Sequence, residues 1–357
     1  MLLLLLACTD KPADDTAIDD TADTDTDSDT DSDTDSDTDS DTDSDTDSDT
    51  DTDTNVTDGL TFVLDEDGTG MVLTLTKISL DRGTLGDTLA TVEARGSNVV
   101  VATGPAPAGD LEPSGWDGLD MAAYLPAVFP DSDGDLRPGG DDTYVAIGTT
   151  LPLYLEGEVP VELAAQGLVE GWNAVTLDID TGDFVAVVSP SAIPVAFNLE
   201  GDTTLTVGGT STATDARFAL VSLPLLDGTW VAPLVDTTLG DTWSVDLADE
   251  PPSDHFSDIG SASAAIEFPA AYTDADGSES VSENDALAGG PCIGGVTVAA
   301  AWFAGPTDLE SAIAMVRMEV ATGWQLIGED DTTTYGFSVR DPADASSIVL
   351  DPACTLE

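Results

Sequence analysis

The sequence predicts an all-β protein: two tandem β-sandwich-like domains from an internal duplication, each with one short helix, preceded by a disordered acidic linker. Three observations carry this. Apolar residues alternate with polar or small ones along short runs, as in Val175, Leu177 and Ile179, in Ile193, Val195, Phe197 and Leu199, and in Trp243, Val245 and Leu247. A two-residue period of this kind places one face of a strand in a core. Turn residues recur between the runs, as in Asp65 to Gly70, Gly201-Asp202 and Asp227-Gly228, which favours antiparallel sheets over strands alternating with helices. Finally, Tyr124 to Asp142 returns as Glu267 to Asp285, with Pro126 falling on Pro269 and Asp131 on Asp274 at a constant offset of 143.

The first element in chain order is Met1 to Asp10, where five leucines run into Ala7 and Cys8. Leu5-Leu6-Ala7-Cys8 resembles a bacterial lipobox. That resemblance implies cleavage before Cys8, acylation of its thiol, and a membrane anchor at the N-terminus. No basic stretch precedes the leucines, and five residues fall short of the roughly 7 to 15 of a signal-peptide core, which predicts a start upstream of Met1. Segment 1–8 is read as a truncated signal and 9–58 as tether. From Asp10 to Asp53, Asp alternates with Thr or Ser, with 21 Asp and one Lys among 44 residues. Such a stretch has almost nothing to bury and repels itself, so it cannot fold alone. At about 3.3 to 3.6 Å per residue it would reach on the order of 150 Å fully stretched. Asp-Ser/Thr tethers behind a lipobox resemble those of surface lipoproteins from myxobacteria and their relatives, which implies an extracytoplasmic address, at the outer membrane or cell surface.

The remaining 300 or so residues suit two cores better than one. Leu153 to Gly157 is echoed by Ala301 to Gly305, and Gly171-Trp172 by Gly323-Trp324. Strand-like runs at Gly59 to Leu64 and Ile193 to Leu199 are expected to open the halves, giving domains 59–190 and 191–357, divided where Pro190 and Pro194 punctuate the chain. Helices are expected from Pro160 to about Glu170 and from Asp308 to about Val320. Proline suits a first helical turn, and Thr307 or Asp308 can accept free amides. Gly171 and Gly323 would end these helices, and Trp172 and Trp324 would then open strands and pack inward.

Within the repeated stretch, Asp131, Asp133 and Asp135 followed by Asp142 fall at positions 1, 3, 5 and 12 of a loop, with the Arg137 carbonyl at position 7. In the second copy Asp274, Asp276 and Ser278 lead and Asp285 closes. Calcium takes six to eight hard oxygens, and alternate carboxylates with a late closing one can wrap it. The loops resemble those of EF-hand and dockerin domains, and the resemblance implies structural calcium. They depart from that pattern in having Leu136 and Glu279 at the sixth position, where glycine is usual. A strand at Tyr144 to Ile147 also replaces the helix that should follow.

Cys292 and Cys354 are left as a pair outside the cytoplasm once Cys8 is an anchor, and a bridge between them would contribute on the order of 3 to 4 kcal/mol. With one histidine, His255, and no Cys-x-x-Cys, no standard zinc set can be assembled. His255 lies near Asp254 and Asp258 in a Pro-rich stretch that reads as surface loop, and no Gly-x-Ser-x-Gly elbow accompanies it. Eight basic residues against 71 acidic ones would repel nucleic acid. The expectation is therefore a non-enzymatic, lipid-anchored surface protein that binds a protein or neutral glycan or serves the envelope. The alternatives are a carbohydrate- or matrix-binding pair, marked by exposed Trp172, Trp302 or Trp324, and a secreted hydrolase with His255 in a cleft.

Overall fold

The computed structural model describes residues 59–79, 84–138, 142–177, 184–222, 231–282 and 285–354. Cys8, the acidic tether, Ile179 and the Asp227-Gly228 turn lie outside them. The described chain is mostly strand with two α-helices, and residues 58–357 fall in one compact unit. No helix among the described residues is long and apolar enough to cross a membrane.

The first set of elements is β1 (Gly59–Leu64), β2 (Met71–Ile78), β3 (Leu85–Glu93), β4 (Asn98–Ala102), β5 (Glu112–Pro113), β6 (Leu119–Pro130), β7 (Ala146–Ile147), β8 (Thr150–Gly157), α1 (Val161–Ala164), β9 (Gly171–Leu177), β10 (Phe184–Val188) and β11 (Ile193–Val195). The second is β12 (Leu205–Ser211), β13 (Arg217–Ser222), β14 (Val235–Thr238), β15 (Thr242–Leu247), β16 (Phe256–Ile259), β17 (Ala262–Thr273), β18 (Ala286–Ile293), β19 (Val296–Phe303), α2 (Leu309–Arg317), β20 (Gly323–Glu329), β21 (Phe337–Val339) and β22 (Ile348–Asp351).

The two sets pair in the same order. An antiparallel sheet runs β3-β2-β6-β8-β9-β10 in the first, and the pairings run β14-β13-β17-β19-β20-β21 in the second. Opposite it, β1 pairs antiparallel with β4 and parallel with β11, as β12 pairs antiparallel with β15 and parallel with β22. Strand β11, expected to open the second half, thus lies beside β1, Phe62 opposite Ile193. The first set closes at Val195 and the second opens at Leu205.

Pro126 and Pro269 show how the repeated strands tolerate an interior proline. β6 pairs with β8 up to Ala123 and with β7 from Ala127, while β17 pairs with β19 up to Glu267 and with β18 from Ala271. Each proline sits where one neighbour gives way to another, so its missing N–H costs no ladder bond there.

Side-chain parity then sorts three large cores, beside a small cluster of Ala219, Val221, Ala270, Tyr272 and Val281. In β6 the odd-numbered residues, Leu119 to Phe129, join one cluster, and Tyr124 and Val128 point to another that includes β1, β4 and β11. In β17, Ala262, Ala264 and Ile266 enter the same cluster as the odd residues of β6, and Ala265 and Ala271 face β12, β15 and β22. The two larger sheets therefore share a central core, and each has a second core against its smaller sheet. Helix α2 covers part of the central core with Ala312 and Met315. Its start is capped by Asp308, whose side chain accepts from the Ser311 amide at 2.9 Å. Helix α1 is four residues long, shorter than the stretch to Glu170 expected from sequence. The chain leaves it at Gly167, whose φ of +96° is incompatible with a continuing helix.

Cys292 and Cys354 are disulfide-bonded, with Cα atoms 6.2 Å apart, tying the chain beyond β22 to β18.

Candidate metal centre in two acidic loops

The acidic loops follow β6 and β17 and share a set of winding hydrogen bonds at the offset of 143. The Gly134 amide donates to Asp131 Oδ1 at 2.9 Å, and the Gly277 amide to Asp274 Oδ1 at 2.8 Å. The amides of Leu136 and Glu279 reach Oδ2 of the same aspartates at 3.3 and 3.0 Å. Asp135 donates its amide to Asp133 Oδ1 as Ser278 does to Asp276 Oδ1. The closing carboxylate accepts from the second loop residue in both: Ser132 N to Asp142 Oδ1 at 3.1 Å, Ala275 N to Asp285 Oδ1 at 2.7 Å. Short Asp side chains that bond amides two to five residues on wind a chain into such a tight loop.

Backbone shape matches as well. Gly134 and Gly277 have φ of +78° and +73°, and Leu136 and Glu279 have φ of +60° and +61°. The sixth position is therefore left-handed in both copies, as a glycine there would be, although a side chain occupies it. Left-handed backbone at a non-glycine residue costs roughly 1 to 2 kcal/mol.

These windings gather three carboxylates per loop. One oxygen from each of Asp131, Asp133 and Asp142 lies within 4.8 Å of the others, and the same holds for Asp274, Asp276 and Asp285. Asp135 turns away, its Oδ1 accepting from the Arg137 amide at 2.7 Å. Ser278 Oγ donates to the Ser280 carbonyl at 2.8 Å. Arg137 is exposed. Of the expected ligands, positions 1, 3 and 12 converge and the side chains at position 5 do not. Residues 139–141 and 283–284, at positions 9 to 11 and 10 to 11, lie outside the described residues.

The surroundings differ. Asp142 is 2% exposed and Asp285 is half-buried. Hydrogen bonds from Ser278, side chain first and then amide, hold the Asp276 carboxyl below the usual range. The second loop is fastened to its sheet by Asp236, whose Oδ2 accepts from the Val281 amide at 2.8 Å. Asp236 also takes Arg217 Nη2 at 2.9 Å and the Tyr272 hydroxyl at 2.7 Å. Burial first, and then the bond to Asp236, pushes the Tyr272 phenol up to about 12. Sequence reading missed this hub because its members lie on three strands and share no motif.

The other singled-out residues are buried or half-buried. Trp302 and Trp324 are buried and meet edge to face, centroids 5.6 Å apart. Trp172 is half-buried against Tyr124 and Tyr154, and its Nε1 donates to the Gly104 carbonyl. Trp324 Nε1 likewise donates to the Asp249 carbonyl. His255, read as surface, is buried, with Nδ1 2.7 Å from Glu267 Oε1. A short 3-10 turn, Ser253–His255, carries the ring inward. Glu267 carries no motif, and the signal for it was a lone acid amid the small and apolar residues of β17.

No protein family, curated protein or solved structure matches the chain.

Proposed function

We propose that the chain is a non-enzymatic surface lipoprotein: a β-sandwich pair from a duplication, carried on the acidic tether from Cys8, with calcium in its two acidic loops as a structural ion. The carrying observation is the pair of carboxylate triads, Asp131, Asp133 and Asp142 and Asp274, Asp276 and Asp285, at matching loop positions. Three carboxylates that close repel one another, and a divalent ion with hard-oxygen preference would neutralise them and pin the loop. Water and backbone carbonyls would complete the six to eight oxygens. The ion supports no reaction in this reading. The partner would be a protein or another surface without strong negative charge, because the excess of acids repels polyanions.

The test is thermal unfolding of the full chain in EDTA and in 10 mM calcium, repeated for Asp131→Ala and Asp274→Ala. With an affinity of roughly 0.1 to 1 mM, as in extracellular modules, each site would contribute about 1.5 to 3 kcal/mol, a rise of several degrees. Each substitution should remove its own share. Identical curves with and without calcium would reduce both loops to acidic turns.

A further inference from the structure

We propose that His255 and Glu267 share a single proton, resident on the carboxyl, and that its loss at alkaline pH loosens the second core. The geometry is unusual for two ionisable groups. Glu267 is fully buried and His255 is 2% exposed, at the centre of a sheet and beneath a turn. Across β17 the register sets Glu267 between Ser222 of β13 and Ala300 of β19, neither of which titrates. Glu267 Oε2 and Ser222 Oγ have no hydrogen-bond partner among the described residues.

Where the proton sits follows from the ring's two nitrogens. Nδ1 lies against Glu267. A neutral ring that carries its hydrogen on Nε2 presents a lone pair at Nδ1. Two lone pairs at 2.7 Å repel, so a proton must lie between them, donated by the Glu267 hydroxyl. The other arrangement, imidazolium facing carboxylate, would leave an ionised group in an apolar core with one oxygen unpartnered, which is far costlier than an unpartnered neutral carbonyl. Burial acts the same way on both groups. It pushes the Glu267 carboxyl up to about 8 and the His255 ring down, with Asp254 the charged neighbour opposing the latter.

Counting protons fixes the pH dependence. Unfolded, Glu titrates near 4.3 and His near 6.5. Between those values the unfolded pair holds one proton, on the histidine, and the folded pair holds one, on the glutamic acid, so stability does not change. From pH 6.5 to about 8 the folded pair keeps its proton and the unfolded pair has none. Stability then falls as pH rises, by up to tenfold in the unfolding constant per pH unit. The dependence weakens through pH 8 and ends above about 9, where both states have lost the proton. The chain has one histidine and Cys292 is bonded to Cys354, so few other groups exchange protons in that window.

The experiment is denaturant unfolding of the full chain in EDTA at pH 5 to 9.5, alongside Glu267→Gln. The amide of glutamine can donate to Nδ1 and cannot ionise. The wild-type unfolding constant should be nearly flat from pH 5 to 6 and rise roughly 30-fold in all by about pH 9, and E267Q should lose that rise. A wild-type curve flat to pH 9.5, or a variant that keeps the slope, overturns the proposal. Nitrogen NMR of the single histidine gives a reading that needs no variant. A neutral ring with hydrogen on Nε2 and a bare Nδ1, unchanged from pH 5 to 7.5, supports it. An imidazolium, or a ring that titrates near 6.5, overturns it.

Discussion

The sixth residue of β6 is Tyr124 and the sixth residue of β17 is Glu267, and both are fully buried with one polar contact. Tyr124 donates its hydroxyl to Asp110 Oδ2 at 2.8 Å, and Glu267 meets His255 at 2.7 Å. Burial raises both pKa values, for the phenol from an ordinary value of 10.0 and for the carboxyl from 4.5 to about 8. A buried phenol starts so far above neutrality that it stays neutral at any pH the fold meets. A buried carboxyl starts below neutrality and ends near it, so the same position in the same topology makes one core indifferent to pH and the other responsive.

The most disruptive way to break this comparison is to transplant it. Tyr124→Glu would set a carboxyl beside Asp110 with no imidazole to receive its proton. A cost of about 4 kcal/mol or more, read from urea unfolding at pH 7 and smaller at pH 4.5, is expected. A low cost at both pH values would mean the first core hydrates as it stands. Next, Asp236→Ala should cost about 3 kcal/mol, since Arg217, Tyr272 and the Val281 amide all lose a partner. Hydrogen exchange should quicken at 274–282 and stay unchanged at 131–138. Equal quickening in both loops would show that Asp236 does not distinguish them. Smallest, Leu136→Gly and Glu279→Gly should each stabilise the metal-free chain by about 0.5 to 1 kcal/mol, because the left-handed strain outweighs glycine's entropy. Both residues are exposed, so little packing is lost. A different sign in the two loops would mean that their matching backbones are held by different forces.

Much of this was legible from residue patterns. Gly59 to Leu64 emerges as β1 at the expected bounds, and Trp243, Val245 and Leu247 turn inward on β15 as their alternation requires. The loop geometry was legible because Asp side chains act on amides a few residues away, which is local chemistry. Partners across the fold were not. Alternation in Ile193 to Leu199 says which face is apolar and nothing about which strand lies alongside, so the parallel pairing with β1 had no signature. The shared central core had one, unused: β6 is buried on both faces along most of its length, and a strand apolar on both sides must be covered on both. Glu267 and His255 are twelve residues apart, and the β16–β17 hairpin, with Phe256 opposite Ala265, folds the turn before β16 back onto Glu267.

Strand β1 begins at Gly59 and lies between β4 and β11. Ladder bonds between strands run across the strand axis, so tension arriving through the preceding chain is directed along β1 and strains both ladders sideways, many bonds at once. A strand placed at a sheet margin and pulled across its length would instead open like a zipper, one bond after another. Position alone makes the start of β1 a mechanical grip, where a pull on it would be resisted collectively before any layer separates.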